Sequence, residues 1–197
     1  MKNKNNIWVT SDLHFNDANI IKLAKRPFSD KDQMAKALIK RWNHRVKRND
    51  LVIICGDFIL TYGGKERFRE IVSQLNGRLI LVKENNDKAY SYSWLLDNGI
   101  AFVCERFEWL RGGKKLLFIH SKDHVKSAEK GLYDLVIHGH KHLPFVNEPQ
   151  KSNTKFYNVN IEGSNFFPTA IDSILSNTFK SKILRSKSKQ ELKRLCR

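Results

Sequence analysis

The sequence predicts an α/β fold, parallel in its first half and mixed in its second. Its short apolar runs lack strict alternation, as strands covered on both faces do. Amphipathic helical patterns lie between the first three runs, and the later runs follow one another after only a few residues. Strand, helix, strand, helix, strand implies parallel pairing through right-handed crossovers, whereas short connections allow antiparallel neighbours.

The runs cover 7–11 (IWVTS), 51–55 (LVIIC), 78–82 (RLILV), 100–104 (IAFVC), 107–111 (FEWLR), 115–120 (KLLFIH), 134–140 (DLVIHGH) and 156–162 (FYNVNIE). Over 30–48, Met34, Ala37, Leu38, Trp42 and Val46 share one stripe at helical spacing, with Asp30 or Asp32 placed to cap it. Phe68, Ile71, Val72 and Leu75 repeat the pattern over 65–75, which Asn76 and Gly77 end. The stretch RGGKK (111–115) reads as a hairpin turn. No repeat or low-complexity linker divides the chain, so one domain is expected over 1–176, followed by a basic tail over 177–197.

With 197 residues, 41% of them hydrophobic, the chain is long enough to bury a core. No apolar run approaches the roughly 20 residues of a membrane span, and the opening MKNKNNIWVTSD has no signal-peptide core. The three cysteines are scattered, which suits a reducing compartment. A soluble, cytoplasmic protein is expected. The formal charge is +16, and 177–197 holds eight Lys or Arg against Glu191 alone. Such a field draws polyanions such as nucleic acid; a solvated tail is the competing reading. Lys122, Lys126, Lys141 and Lys151 sit in predicted loops, either to track a phosphate backbone or simply solvated. Trp8, Trp42, Trp94 and Trp109 read as core or interface aromatics rather than base-stacking platforms.

Ligands in open α/β sheets bind at the carboxyl ends of strands. Those ends carry Asp12 and His14 (SDLH), Asp57 (CGDF), Asn85, Asn86 and Asp87 (ENND), His120 (FIHS), and His138, His140 and His142 (HGHKH). Mixed imidazole, carboxylate and amide groups suit divalent ions such as Mn, Fe or Zn better than a thiolate site. In an extended chain, residues two apart point the same way, so Asp12 with His14, and His140 with His142, would each face one cluster. Gly56 would let Asp57 approach closely. Singly each signal is weak; five in order are much stronger.

In that order SDLH, CGD, KENND, FIHS and GHKH resemble the five-block signature of calcineurin-like metallophosphoesterases, over residues 7 to about 172. SDLHFNDANII, the RPF segment and YNVNIEGSNFFPTAI look closest to the compact bacterial and phage branch. The resemblance implies a two-sheet mixed β-sandwich flanked by helices and two divalent metal ions, Mn favoured. One ion would be held by Asp12, His14, Asp57 and His142. The other would be held by Asp57, Asn85, His120 and His140. Asp57 would bridge them, and a hydroxide shared by the metals would attack phosphorus in line.

The family block reads Gly-Asn-His-Asp or Glu, and its His serves the leaving oxygen or the phosphoryl group. Here Glu84 replaces Gly and Asn86 replaces His. Asn donates a hydrogen bond but no titratable proton near neutrality, and loss of acid help costs about a hundred- to ten-thousandfold. His124, Lys122 and His44 are candidate substitutes. Asp17 stands where close relatives have His, and reads as the start of a helix. Glu84 is expected either to repel substrate or to pair with Lys83 or Lys88. These features favour a phosphodiesterase or nuclease. A phosphomonoesterase acting on nucleotides or phosphoproteins is one alternative, and a catalytically impaired metal-binding scaffold is the other.

Overall fold

The computed structural model describes residues 5–60, 64–84, 87, 89–129, 131–142 and 154–179. Asn85, Asn86, Lys88, Lys151 and the tail from 180 onward therefore lie outside the described residues.

Two sheets form. The first orders its strands β4-β3-β2-β1-β9, with β1 at Ile7–Thr10, β2 at Leu51–Ile54, β3 at Arg78–Val82, β4 at Ile100–Cys104 and β9 at Thr169–Ala170. Strands β1 to β4 pair in parallel, and β9 closes the β1 edge antiparallel. The second sheet orders β5-β6-β7-β8, at Phe107–Arg111, Lys114–Phe118, Leu135–His138 and Lys155–Asn158. Only its hairpin β5–β6 is antiparallel, and Gly112 and Gly113 turn it with positive φ. The expected change from parallel to mixed pairing and the two-sheet sandwich are both present. The two-residue β9 has no counterpart among the eight apolar runs.

Every-other-residue geometry explains why the strands are apolar throughout. Along β2 and β3, Val52, Ile54, Leu79 and Leu81 face a cluster with the helices, while Ile53, Cys55, Ile80 and Val82 face the other sheet. From the second sheet Leu116, Phe118, Leu135 and Ile137 meet them, with Val9 and Val159. Helices α1 (Asn19–Leu23), α2 (Lys31–Arg45), α3 (Gly64–Gln74) and α4 (Tyr92–Asp97) belong to the outer side of the first sheet. Asp30, rather than Asp32, caps α2, accepting from the N–H groups of Asp32 and Gln33. On α2 the buried alanine is Ala35 and not Ala37, because the stripe drifts around the helix between Met34 and Leu38. A helical stretch over 171–179 buries Ile171 and Ile174 between the sheets and packs Leu175 and Phe179 beside them, so packing continues to Phe179.

All four tryptophans pack as expected. Trp42 is 1% exposed and donates from Nε1 to the Asn76 carbonyl at 2.8 Å. Trp8 donates to Asp50, Trp94 stacks on Tyr90 and Trp109 lies against the inter-sheet cluster. Among the described residues no helix is long and apolar enough to cross a membrane.

Candidate metal centre

Among the described residues, Asp12, His14, Asp57, His120 and His142 gather where the strand ends of both sheets meet. Ser11, just past β1, bridges to Asn160, just past β8, which ties the first sheet to the second at this seam. Beyond β1 the chain is not extended: Asp12 has φ +57° and His14 φ +50°. His140 has φ +71° and Asp57 φ +51°. The expectation that Asp12 and His14 share a direction through strand geometry is therefore corrected. Left-handed kinks, uncommon for residues with a Cβ, turn Asp12, His14 and Asp57 inward.

Asp12 is fully buried, and its carboxylate accepts the His140 N–H at 2.9 and 3.1 Å and the Ser11 hydroxyl. Asp57 Oδ2 stands 3.3 Å from His14 Nε2 and 3.5 Å from His120 Nε2. His142 Nε2 lies 3.8 Å from Asp12 Oδ1. Ligand atoms of Asp12, His14 and His142 fall within 4.8 Å of one another, as do those of Asp12, Asp57 and His120. His140 is exposed, with its ring 5.1 Å from that of His120. His138 stays apart as a core residue inside β7, with Nδ1 on the Gly139 carbonyl and its ring against Phe156.

Three imidazoles are braced at Nδ1 with Nε2 facing the carboxylates. Asp17 holds His14 at 3.2 Å, the Cys55 carbonyl holds His120 at 2.8 Å, and Glu162 holds His142 at 3.0 Å. Metal-binding histidines carry this outer support, which fixes tautomer and ring direction. His14 Nε2 is buried and faces the Asp57 carboxylate at 3.3 Å without a well-aligned hydrogen bond. A buried, unsatisfied nitrogen aimed at a carboxylate fits a cation between them. Glycines make the approach possible from both sides. A Cβ on Gly56 would lie 2.5 Å from His120 Nδ1, and one on Gly139 would collide with Ser11 and Asp12.

Residues 6–161 match the calcineurin-like phosphoesterase superfamily domain. The chain belongs to that superfamily. An uncharacterized protein of Methanocaldococcus jannaschii is 35% identical over 187 residues, covering 91% of this chain and 95% of its own length. The crystal structure of a protein of unknown function from Aquifex aeolicus superposes with a TM-score of 0.66 at 22% identity, over 87% of this chain and 98% of that one, which shows a shared fold.

In this calcineurin-like centre, charge and burial set the protonation. Burial raises the pKa of Asp12. Burial lowers that of His14, but contacts with Asp17 and Asp57 overcome it and lift His14 to about 9. The pairing with His14 lowers Asp17. Burial pushes Asp87 up to about 7, even though its carboxylate accepts the N–H groups of Glu84 and Phe58. Asp87 thereby ties Glu84, just beyond β3, to Phe58 beside Asp57.

Several supporting residues escaped sequence reasoning. Asp17 does cap α1, accepting from Asn19 and Ile20, and it also braces His14. Arg26, of the RPF segment, is buried; it donates to the Leu13 and Asp12 carbonyls and to Glu162. Asn158 and Asn160 both donate to the Lys141 carbonyl, holding the loop between His140 and His142. Polar residues in NVNIE, spaced to leave a strand end, were the available signal. Of the substitute acids, His44 packs edge-on against Phe167, while His124 Nδ1 lies 3.5 Å from Glu84 Oε1. Glu84 thus pairs with His124, which was not among the partners expected for it.

Proposed function

We propose that the chain is a dinuclear metal-dependent phosphodiesterase, with nucleic acid or another charged diester as its substrate class. Asp12, His14, Asp57 and His142 hold one divalent ion, and Asp57, Asn85, His120 and His140 hold the other, with Mn the favoured metal. The carrying observation is the facing of Asp57 Oδ2 to both His14 Nε2 and His120 Nε2, as a bridging carboxylate requires. When bound, the two cations make a water acidic enough to attack phosphorus and offset charge building on the phosphoryl oxygens.

The protein's own groups do the rest. Asp17, Glu162 and the Cys55 carbonyl keep the three imidazoles directed inward. The His140 backbone and Ser11 hold Asp12 in a single orientation. Asn86 donates a hydrogen bond to a phosphoryl oxygen and supplies no proton, so esters with good leaving groups suffer least. The net charge of +16 favours encounter with a polyanionic diester.

The test is Mn²⁺-supplemented hydrolysis of bis-p-nitrophenyl phosphate beside p-nitrophenyl phosphate. Diester turnover that vanishes in Asp57→Asn supports the proposal. Silence in this chain with recovery in Asn86→His means an intact centre lacking only its acid. Silence in both, with metal bound, favours the impaired scaffold, and turnover of p-nitrophenyl phosphate in preference to the diester, extended to an alkyl monophosphate, favours the phosphomonoesterase.

A further inference from the structure

We infer that His124, oriented by Glu84, is the proton donor to the leaving oxygen, which extends the substrate class to alkyl phosphodiesters such as those joining nucleosides. The inference rests on the hydrolytic reading above. A departing alkoxide needs a proton near neutral pH, and imidazole is the side chain ordinarily suited to give one.

A cleft of about 480 Å³ opens beside His120, lined by Lys83 and Glu84 beyond β3, Glu105 and Arg106 beyond β4, and Ile119 and His124. Most of its polar groups are engaged. Arg106 is held by Glu129 at 2.8 Å, by Glu108 at 3.3 Å and by the Tyr133 hydroxyl at 2.9 Å. His120 has Nδ1 on the Cys55 carbonyl and Nε2 toward Asp57. The Lys83 ammonium lies 4.9 Å from the centre of the Tyr92 ring. Asp87 is buried, with both carboxylate oxygens on backbone N–H groups.

His124 differs from all of these. Its side chain is 57% exposed, and Nδ1 faces the nearly buried Glu84 carboxylate, which leaves Nε2 for substrate. Both backbones are fixed. The His124 N–H donates to the Ser121 carbonyl, Ser121 caps the turn Lys122–His124, and the Glu84 N–H donates to Asp87. Charged neighbours are Lys83, Glu105, Arg106 and His120 across the cleft, with Lys122 and Asp123 on its own turn. A carboxylate at 84 that directs an imidazole at 124 gives one reason for both departures at 84 and 86.

The step balances. A water oxygen, its proton released to solvent, bonds to phosphorus as the ester P–O bond breaks with its electron pair on the leaving oxygen, and His124 Nε2 gives that oxygen a proton. The neutral ring keeps Nδ1–H toward Glu84 and regains a proton from solvent.

The test compares a dinucleoside monophosphate with bis-p-nitrophenyl phosphate, both with Mn²⁺, on the full chain and on His124→Asn, Glu84→Gln and Asp57→Asn. His124→Asn should lower dinucleotide cleavage by about a hundredfold or more, and aryl diester cleavage by a factor at least about ten times smaller. Glu84→Gln, whose amide oxygen can still face Nδ1, should lower dinucleotide cleavage by a smaller factor than His124→Asn, with the aryl diester rate the less affected of the two. Equal losses on both esters, an undiminished dinucleotide rate, or a parent chain that cleaves only the aryl diester overturns the inference. Aryl turnover that survives in Asp57→Asn instead overturns the hydrolytic reading beneath it.

Discussion

Asp12 and Asp57 come from strand ends of the five-stranded sheet, whereas His120, His140 and His142 come from those of the four-stranded sheet. Each side is braced by the other. Asp12 is held by the His140 N–H, and His120 is held by the Cys55 carbonyl. Each side also supplies a glycine where the other's side chain passes, Gly56 under His120 and Gly139 under Asp12. His14 meets Asp57 within the first sheet, but the imidazoles of the second sheet reach the carboxylates only when the sheets dock, and the cluster of Ile53, Val82, Leu116, Phe118 and Ile137 between them supports site and fold together.

The largest expected effect removes the group both sides share. Asp57→Asn should lower diester turnover by about a thousandfold or more, beyond the 10–100-fold typical of outer braces, with circular dichroism unchanged. Next come the glycines. Gly56→Ala should cost about 2–4 kcal/mol, since overlap with His120 adds to strain at φ +77°. Gly139→Ala, whose Cβ would overlap buried Ser11 and Asp12 but adds no strain in φ, should cost somewhat less by urea unfolding. Equal costs would mean that the two sides yield alike.

The braces rank below these. Glu162→Gln and Asp17→Asn should each weaken Mn²⁺ binding by about 10–100-fold in calorimetric titrations. Glu162→Gln should do more harm, because it also releases buried Arg26, which binds the Leu13 and Asp12 carbonyls. The smallest effect is that of pH. In chelated protein, His14 has a pKa raised from 6.5 to about 9. Its protonated form therefore stabilises the fold fully below 6.5, and that contribution is lost as pH rises through about 9. A cation competes for the same nitrogen, so apparent Mn²⁺ affinity should rise with pH up to about 9, by at most about tenfold per unit for one displaced proton. Affinity that falls over this range would contradict the ligand role of His14.

The comparison also shows what the sequence made legible. Strands such as β2, β3 and β7, buried on both faces, leave continuous apolar runs. Strands β4 and β5 were readable as runs too, although each exposes part of itself, and so was the helical stripe through Met34, Leu38 and Trp42. Strand β9 was not, because two residues carry no period. The polar clusters past the strands were visible as residue types. The left-handed backbone that aims Asp12, His14, Asp57 and His140 was not, since nothing in those side chains demands positive φ. Arg26 and Glu162 were likewise hidden: their contact spans 136 residues, and local periodicity says nothing about such pairs. Glu84 looked like a stray charge until His124 was seen beside it.

The central claim is a two-ion centre shared between the sheets. Anomalous scattering at the manganese edge, from crystals grown with Mn²⁺, tests it most directly. Two peaks per chain should appear, one among Asp12, His14 and His142 and one beside His120, with Asp57 touching both. No peak in the seam, or a single ion that Asp57 does not touch, would contradict the account.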